Sequence, residues 1–256
     1  MNKLTATLAI AGALFSGASL AQSPAKPTVV LVHAAFPDSS SWNGVAQIPR
    51  KDGYRVVAAA NPLRSVSGDA AYVSSIVESI EGPVVLVGHS YGGQVITTAA
   101  NGRNNVKSLV YVAAFAPDAG EAAAELAGKF PGGTLGQALA PPVKLADGNV
   151  DLYIDQSKFR EQFAQDVPVA EATLMAMGQR PITEAALTEK AGNPAWKSLS
   201  SWFIYGEGDR NIPAQALGFM AQRAGSKHTV VIKDASHVVM VSHPKEVAAL
   251  IEEAAK

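Results

Sequence analysis

The stretch Val84-Val-Leu-Val-Gly88-His89-Ser90-Tyr91-Gly92-Gly93-Gln94-Val-Ile-Thr-Thr-Ala-Ala100 decides how this chain is read. Val84 to Val87 have the length and β-branched content of a buried strand. An apolar sequence compatible with a helix resumes from Gly93, which leaves only Gly88-His89-Ser90-Tyr91-Gly92 to turn the chain. A serine in so tight a turn projects its hydroxyl beyond the sheet edge. Glycines two before and two after it remove side chains that would collide where strand and helix nearly touch. Gly-x-Ser-x-Gly alone is a weak signal. Flanked by strand and helix, it marks Ser90 as a candidate nucleophile.

Outward from this segment, apolar runs alternate with amphipathic ones, the pattern of a parallel sheet covered on both faces. Strands are expected at residues 28–32, 55–59, 84–87, 107–113, 202–205 and 229–232. Helices are expected at 42–50, 70–80 with Asp69 as cap, 93–100, 214–223 and 244–254. From about residue 116 to 196 the alternation breaks into a segment rich in Gly and Pro, then helical around 158–165, 169–177 and 183–189. Its large side chains Phe130, Leu135, Tyr153, Phe159, Phe163, Met175, Met177 and Trp196 suit a core, and those facing a cleft suit an apolar acyl or aryl group.

The turn around Ser90 resembles the nucleophile elbow of the α/β-hydrolases, and the resemblance runs from about Thr28 to the end of the chain. It is strongest for the compact cofactor-free branch: small esterases, salicylate-esterase and hydroxynitrile-lyase-like enzymes, and non-haem haloperoxidase-like proteins. The resemblance implies a three-layer α/β fold of about six mainly parallel strands, helices on both faces and a helical cap at about 116–196. The two antiparallel strands that open larger members are not expected here.

It also implies the order serine, acid, histidine along the chain. His237, in Asp234-Ala-Ser-His237, follows the last expected strand and is the expected base. His228 and His243 are read as a strand-start surface residue and a helix-start residue. The expected acid is Asp209 in Gly206-Glu-Gly-Asp209-Arg-Asn-Ile-Pro213, with Asp118 and Glu207 as rivals. Oxyanion donors are expected from the amides of Tyr91 and Ala35, the latter in His33-Ala-Ala35-Phe36. Phe36 is a fallback donor and a substrate-pocket residue. Ala34 stands where relatives have glycine. His33 is read as a loop organiser and His89 as packing beside the nucleophile.

The chain has 256 residues, 17% of them charged, and a net charge of −1, so one large domain is expected, without the basic stripe that nucleic acid requires. Neither His-Glu-x-x-His nor an Asp-rich loop offers a metal site. No dinucleotide or Walker loop appears, there are no cysteines, and no cofactor is expected. Met1-Asn-Lys3, an apolar run from Leu4 to about Phe15 and small residues ending at Ala21 have the three-part plan of a secretory signal peptide. Residues 1–21 are expected to be cleaved, leaving a periplasmic or secreted domain at 28–256 with no stable membrane anchor. The expected activity is serine carboxylesterase chemistry on small to medium apolar or aryl esters through an acyl-enzyme. A hydroxynitrile lyase or perhydrolase using the same triad, and a non-catalytic binding protein, stand as alternatives.

Overall fold

The computed structural model describes residues 26–256. The expected signal segment, residues 1–21, therefore lies outside the described residues. Strands β1 (Thr28–Val32), β2 (Val56–Ala59), β3 (Val84–His89) and β4 (Val106–Val112) come first. Three short strands follow, β5 (Val143–Lys144), β6 (Val150–Leu152) and β7 (Ile182–Thr183), and then β8 (Ser200–Gly206) and β9 (Thr229–Ile232). Six of them form one sheet in the order β2-β1-β3-β4-β8-β9, with every neighbouring pair parallel. β1 and β3 are buried along their whole length, as strands covered on both faces must be.

The helices of the first half are α1 (Asn43–Lys51), α2 (Val66–Glu78) and α3 (Tyr91–Ala99). The crossover from β1 to β2 runs one way across the sheet, and those through α2 and α3 run the other way. Right-handed crossovers then put α1 on one face and α2 with α3 on the opposite face. α2 packs on α3 accordingly. The strand order reverses between β1 and β3, which is where an open parallel sheet leaves a crevice at its carboxyl edge. The β1 loop with His33 and the turn with Ser90 both emerge there.

Between β4 and β8 the chain forms α4 (Ala123–Ala127), α5 (Leu135–Ala138), α6 (Gln156–Phe163), α7 (Val169–Met177) and α8 (Glu184–Thr188). This is the stretch whose texture departs from the alternation. It also contains a second sheet, β5-β6-β7, which is antiparallel and was not expected. The carboxyl-terminal part adds α9 (Ala214–Arg223), α10 (Val239–Ser242) and α11 (Pro244–Ala254), and α11 packs against α1 as well as β4 and β8.

Two expectations are corrected. α2 starts at Val66, not Ala70, because Ser65 is its cap: the Ser65 hydroxyl accepts from the Gly68 amide at 3.0 Å. Asp69 is instead a buried first-turn residue whose carboxylate accepts the Tyr91 hydroxyl at 2.9 Å. Likewise α3 begins at Tyr91 itself, directly after Ser90. The other expected strands and helices differ by at most two residues at their ends, and the short helices α4, α5 and α10 were not expected.

Candidate active site

Ser90 has φ 51° and ψ −119°, a conformation that costs a non-glycine residue of order 1–3 kcal/mol and persists only where its surroundings enforce it. Here they do so through the backbone. The Ser90 amide donates to the Val112 carbonyl at 3.2 Å, and the Ser90 carbonyl accepts from Phe115 at 3.1 Å and Gly93 at 2.9 Å. The two glycines act as the sequence suggests. A Cβ on Gly88 would stand 2.5 Å from the Gly92 carbonyl oxygen, and one on Gly92 would stand 2.5 Å from that of Val32 in β1. The turn is thus pressed against the strand that carries the neighbouring loop.

His237 follows β9 and is buried. Its Nδ1–H donates to Asp209 Oδ2 at 2.6 Å, and neither side chain is more than 1% exposed. Asp209 Oδ1 accepts the amides of Asn211 at 2.8 Å and Ile212 at 2.9 Å. The carboxylate is therefore held by three donors and cannot rotate away. The bond also fixes the His237 tautomer, leaving Nε2 as the proton acceptor. His237 and Ser90 line the same cavity. No hydrogen bond joins Ser90 Oγ to His237 among the described residues, and such contacts commonly tighten only with substrate in place.

The rival acids stand elsewhere. Asp118 Oδ1 pairs with Lys197 at 2.5 Å, and this contact holds its carboxyl below the ordinary range. It does not reach the cavity. Glu207 is exposed. His228 bonds to Glu253 on the surface, and His243 precedes α11, as expected for both.

Tyr91 is the first residue of α3, so its amide is one of the N–H groups a helix leaves without an internal acceptor. Its ring points into the core, where burial pushes the phenol pKa up and Asp69 takes the hydroxyl. Ala35 lines the cavity, and its amide has no backbone acceptor among the described residues. Ala34 substitutes for glycine without a positive φ and is fully buried. Phe36 requires a correction. Its amide cannot serve as the fallback donor, because it donates to the Arg180 carbonyl at 3.0 Å, and the Arg180 amide returns a bond at 2.7 Å. This bridge fastens the β1 loop to the insertion and holds Phe36 at φ 75°. The Phe36 ring does line the cavity, edge-on to Phe163 at 5.8 Å.

The cavity measures about 290 Å³. Apart from Ser90, His237 and Asn211, its wall is largely apolar, including Phe115, Leu139, Leu187 and Ile212. Of the large insertion side chains named from the sequence, Leu135 and Phe163 reach it. Met177 points outward instead, two-thirds exposed, and Trp196 is a core residue whose indole donates to the Pro117 carbonyl at 3.0 Å. Phe163 also stands 4.9 Å from His237, ring to ring, and shields it from water.

His89 does more than pack. Its Nε2–H donates to the His237 backbone carbonyl at 2.9 Å, tying the residue before the serine to the loop of the base. Burial holds the His89 pKa well below its ordinary value, and burial lowers His33 to about 4. His33 Nδ1–H donates to the Ala34 carbonyl at 2.8 Å, in keeping with a loop-organising role. Both rings therefore stay neutral in the folded chain, while an unfolded histidine takes a proton near pH 6.5. Between about pH 6.5 and 4 the unfolded state binds more protons. For His33 this stability is complete above about 6.5 and falls by up to roughly 1.4 kcal/mol per pH unit between there and about 4, and His89 acts in the same direction. Urea titrations at pH 7.5, 6 and 5 test this. A midpoint that does not move across those values contradicts it.

A family model described as "Alpha/beta hydrolase family" matches residues 29–250. This chain belongs to the alpha/beta hydrolase family. Among curated proteins, an alpha-hydroxynitrile lyase of Arabidopsis thaliana is 25% identical over 239 residues, covering 85% of this chain and 92% of that protein. A carbendazim hydrolyzing esterase of Nocardioides sp. is 35% identical over 108 residues, 36% of this chain and 43% of that protein. Among solved structures, polyneuridine aldehyde esterase superposes with a TM-score of 0.77 at 18% identity, covering 90% of this chain and 100% of that chain. That likeness is one of fold.

Proposed function

We propose that this hydrolase-family chain is a serine carboxylesterase acting through an acyl-enzyme on compact apolar or aryl esters. The observation that carries the reading is Ser90, held on a strained turn at the wall of an apolar cavity that the buried His237–Asp209 pair also borders. In this reading His237 Nε2 takes the Ser90 hydroxyl proton as Oγ attacks the ester carbonyl carbon. The carbonyl oxygen becomes an oxyanion and accepts the Tyr91 and Ala35 amides. Collapse breaks the bond to the alcohol oxygen, which leaves with the proton from His237. A water, deprotonated by the same nitrogen, then releases the acid.

The carbendazim hydrolyzing esterase relative supports ester hydrolysis. The lyase relative keeps cyanohydrin cleavage as a second reading. Against it, no Lys or Arg stands among the described residues lining the cavity to hold a departing cyanide anion. A cavity of about 290 Å³ lies at the lower limit of the ~300–1,000 Å³ usual for drug-sized ligands. Short-chain p-nitrophenyl esters are therefore expected to turn over with kcat/KM on the order of 100-fold above that of the dodecanoate, which must leave the cavity. Equal turnover of both would contradict the cavity assignment. Release of aldehyde from cyanohydrins, with no ester turnover, would replace the esterase reading by the lyase one.

The amino-terminal pattern supports export to the periplasm or medium, and among the described residues no helix is long and apolar enough to cross a membrane. Intact-mass analysis of the exported protein is expected to find about twenty-one residues removed. Retention of Met1 would refute it.

A further inference from the structure

We propose that Gln165 and Asp166, adjacent residues on the turn between α6 and α7, are positioning residues for the reaction: from the insertion they set the loop of the acid and the loop of the base against each other. The proposal rests on reading Ser90, His237 and Asp209 as the reacting set. Gln165 Nε2–H donates to the Gly208 carbonyl at 2.6 Å, and the Ser236 amide donates to Asp166 Oδ2 at 3.0 Å. Each bond lands on the residue immediately before a reacting side chain, Gly208 before Asp209 and Ser236 before His237.

The turn itself is braced from α6. Arg160 donates through Nη2 to the Gln165 carbonyl at 2.9 Å and through Nε to the Val167 carbonyl at 3.1 Å. The Val167 amide donates to the Ala164 carbonyl at 3.0 Å, which closes the turn. Phe163, at its start, sets its ring 4.9 Å from that of His237. Phe163, Gln165 and Asp166 thus bring one short segment of the insertion onto both loops. The loops also bond to each other, the Gly208 amide donating to the Ala235 carbonyl at 3.0 Å. His237 is held on one side where its carbonyl accepts His89. Asp166 holds it on the other, through the Ser236 amide, the one hydrogen-bond donor to this carboxylate among the described residues. His243 Nδ1 stands 3.9 Å from the same oxygen, beyond hydrogen-bond length. Without Asp166 the imidazole would be steered by the His89 bond alone. Its contact with Asp209 is short, at 2.6 Å, and directional, and misplacing a reacting group by about 1 Å can cost roughly 10²-fold in rate.

The test compares Asp166→Ala, which removes the acceptor for Ser236, with Asp166→Asn, whose side-chain oxygen can still accept that amide. On p-nitrophenyl butyrate, Asp166→Ala is expected to lower kcat and kcat/KM together by about 10- to 100-fold, as loss of an interaction needed only in the transition state does. Asp166→Asn is expected to recover most of that loss. Titration with a p-nitrophenyl phosphonate counts competent sites, and Asp166→Ala should label more slowly to the same end point. A loss of kcat that a lower end point accounts for would overturn the proposal, as would unchanged kcat in Asp166→Ala or equal impairment of both variants. If Asp166→Ala does not fold, Gln165→Leu, which releases the Gly208 carbonyl, is expected to lower kcat in the same way, and unchanged kcat there would overturn it. A second readout needs no turnover. The far-downfield proton resonance of His237 Nδ1–H, assigned by its absence in His237→Gln, is expected to weaken or shift in Asp166→Ala and to persist in Asp166→Asn. The same resonance in wild type and Asp166→Ala would overturn the proposal. Wild-type protein without ester turnover would refute the esterase reading, and the resonance would then decide on Asp166 by itself.

Discussion

Ser90→Ala is expected to lower ester turnover by ~10⁴- to 10⁶-fold, the range seen when a member of a Ser-His-acid unit is removed. The loss is expected to be large because the proposed acyl-enzyme route disappears entirely, leaving only the proposed Tyr91 and Ala35 donors to polarise a bound ester toward water. Folding is expected to change little. The strained φ of 51° is imposed by backbone bonds to Val112, Phe115 and Gly93, and alanine meets the same constraint as serine. A urea midpoint close to wild type, together with lost turnover, separates a chemical role from a structural one. Turnover that survives in a folded Ser90→Ala protein would remove the nucleophile from the account.

Asp209→Asn is expected to cut turnover by ~10⁴-fold. The carboxylate now takes the His237 Nδ1–H at 2.6 Å and two backbone amides on its other oxygen. If the asparagine kept its oxygen toward those two amides, its NH₂ would face Nδ1. The histidine would then carry its proton on Nε2, where Ser90 needs an acceptor. The imidazolium that forms in the reaction would also lose its negative partner. Asp118→Asn is expected to have little effect on rate, because that carboxylate is occupied with Lys197 away from the cavity. The opposite ranking would contradict the assignment of the acid.

Much of this arrangement was legible in the sequence because its signals are local. The run Val84 to Val87 with closely spaced glycines permits little but a strand, a tight turn and a helix. Asp209 and His237 were marked by their places after two apolar strands. What escaped depends on contacts distant in sequence. Asp69 suits the cap of a helix from residue 70, yet the helix starts upstream on Ser65, and Asp69 is recruited by Tyr91 across the packing of α2 on α3. The β5-β6-β7 sheet is built from strands of two or three residues, too short to show a period of two. Phe36 carried no local sign that its amide would pair with Arg180, 144 positions later by subtraction of their residue numbers.

The central claim is that Ser90 is the nucleophile of an acyl-transfer site. A p-nitrophenyl phosphonate ester tests it directly, since attack by an activated serine leaves a covalent tetrahedral adduct that resembles the acyl-transfer transition state. Peptide mapping by mass spectrometry after labelling is expected to find one phosphonyl group, on the peptide containing Gly88-His89-Ser90-Tyr91-Gly92, and none in Ser90→Ala. Label on a different serine, or a labelled Ser90→Ala protein, would contradict the account and leave only the fold standing.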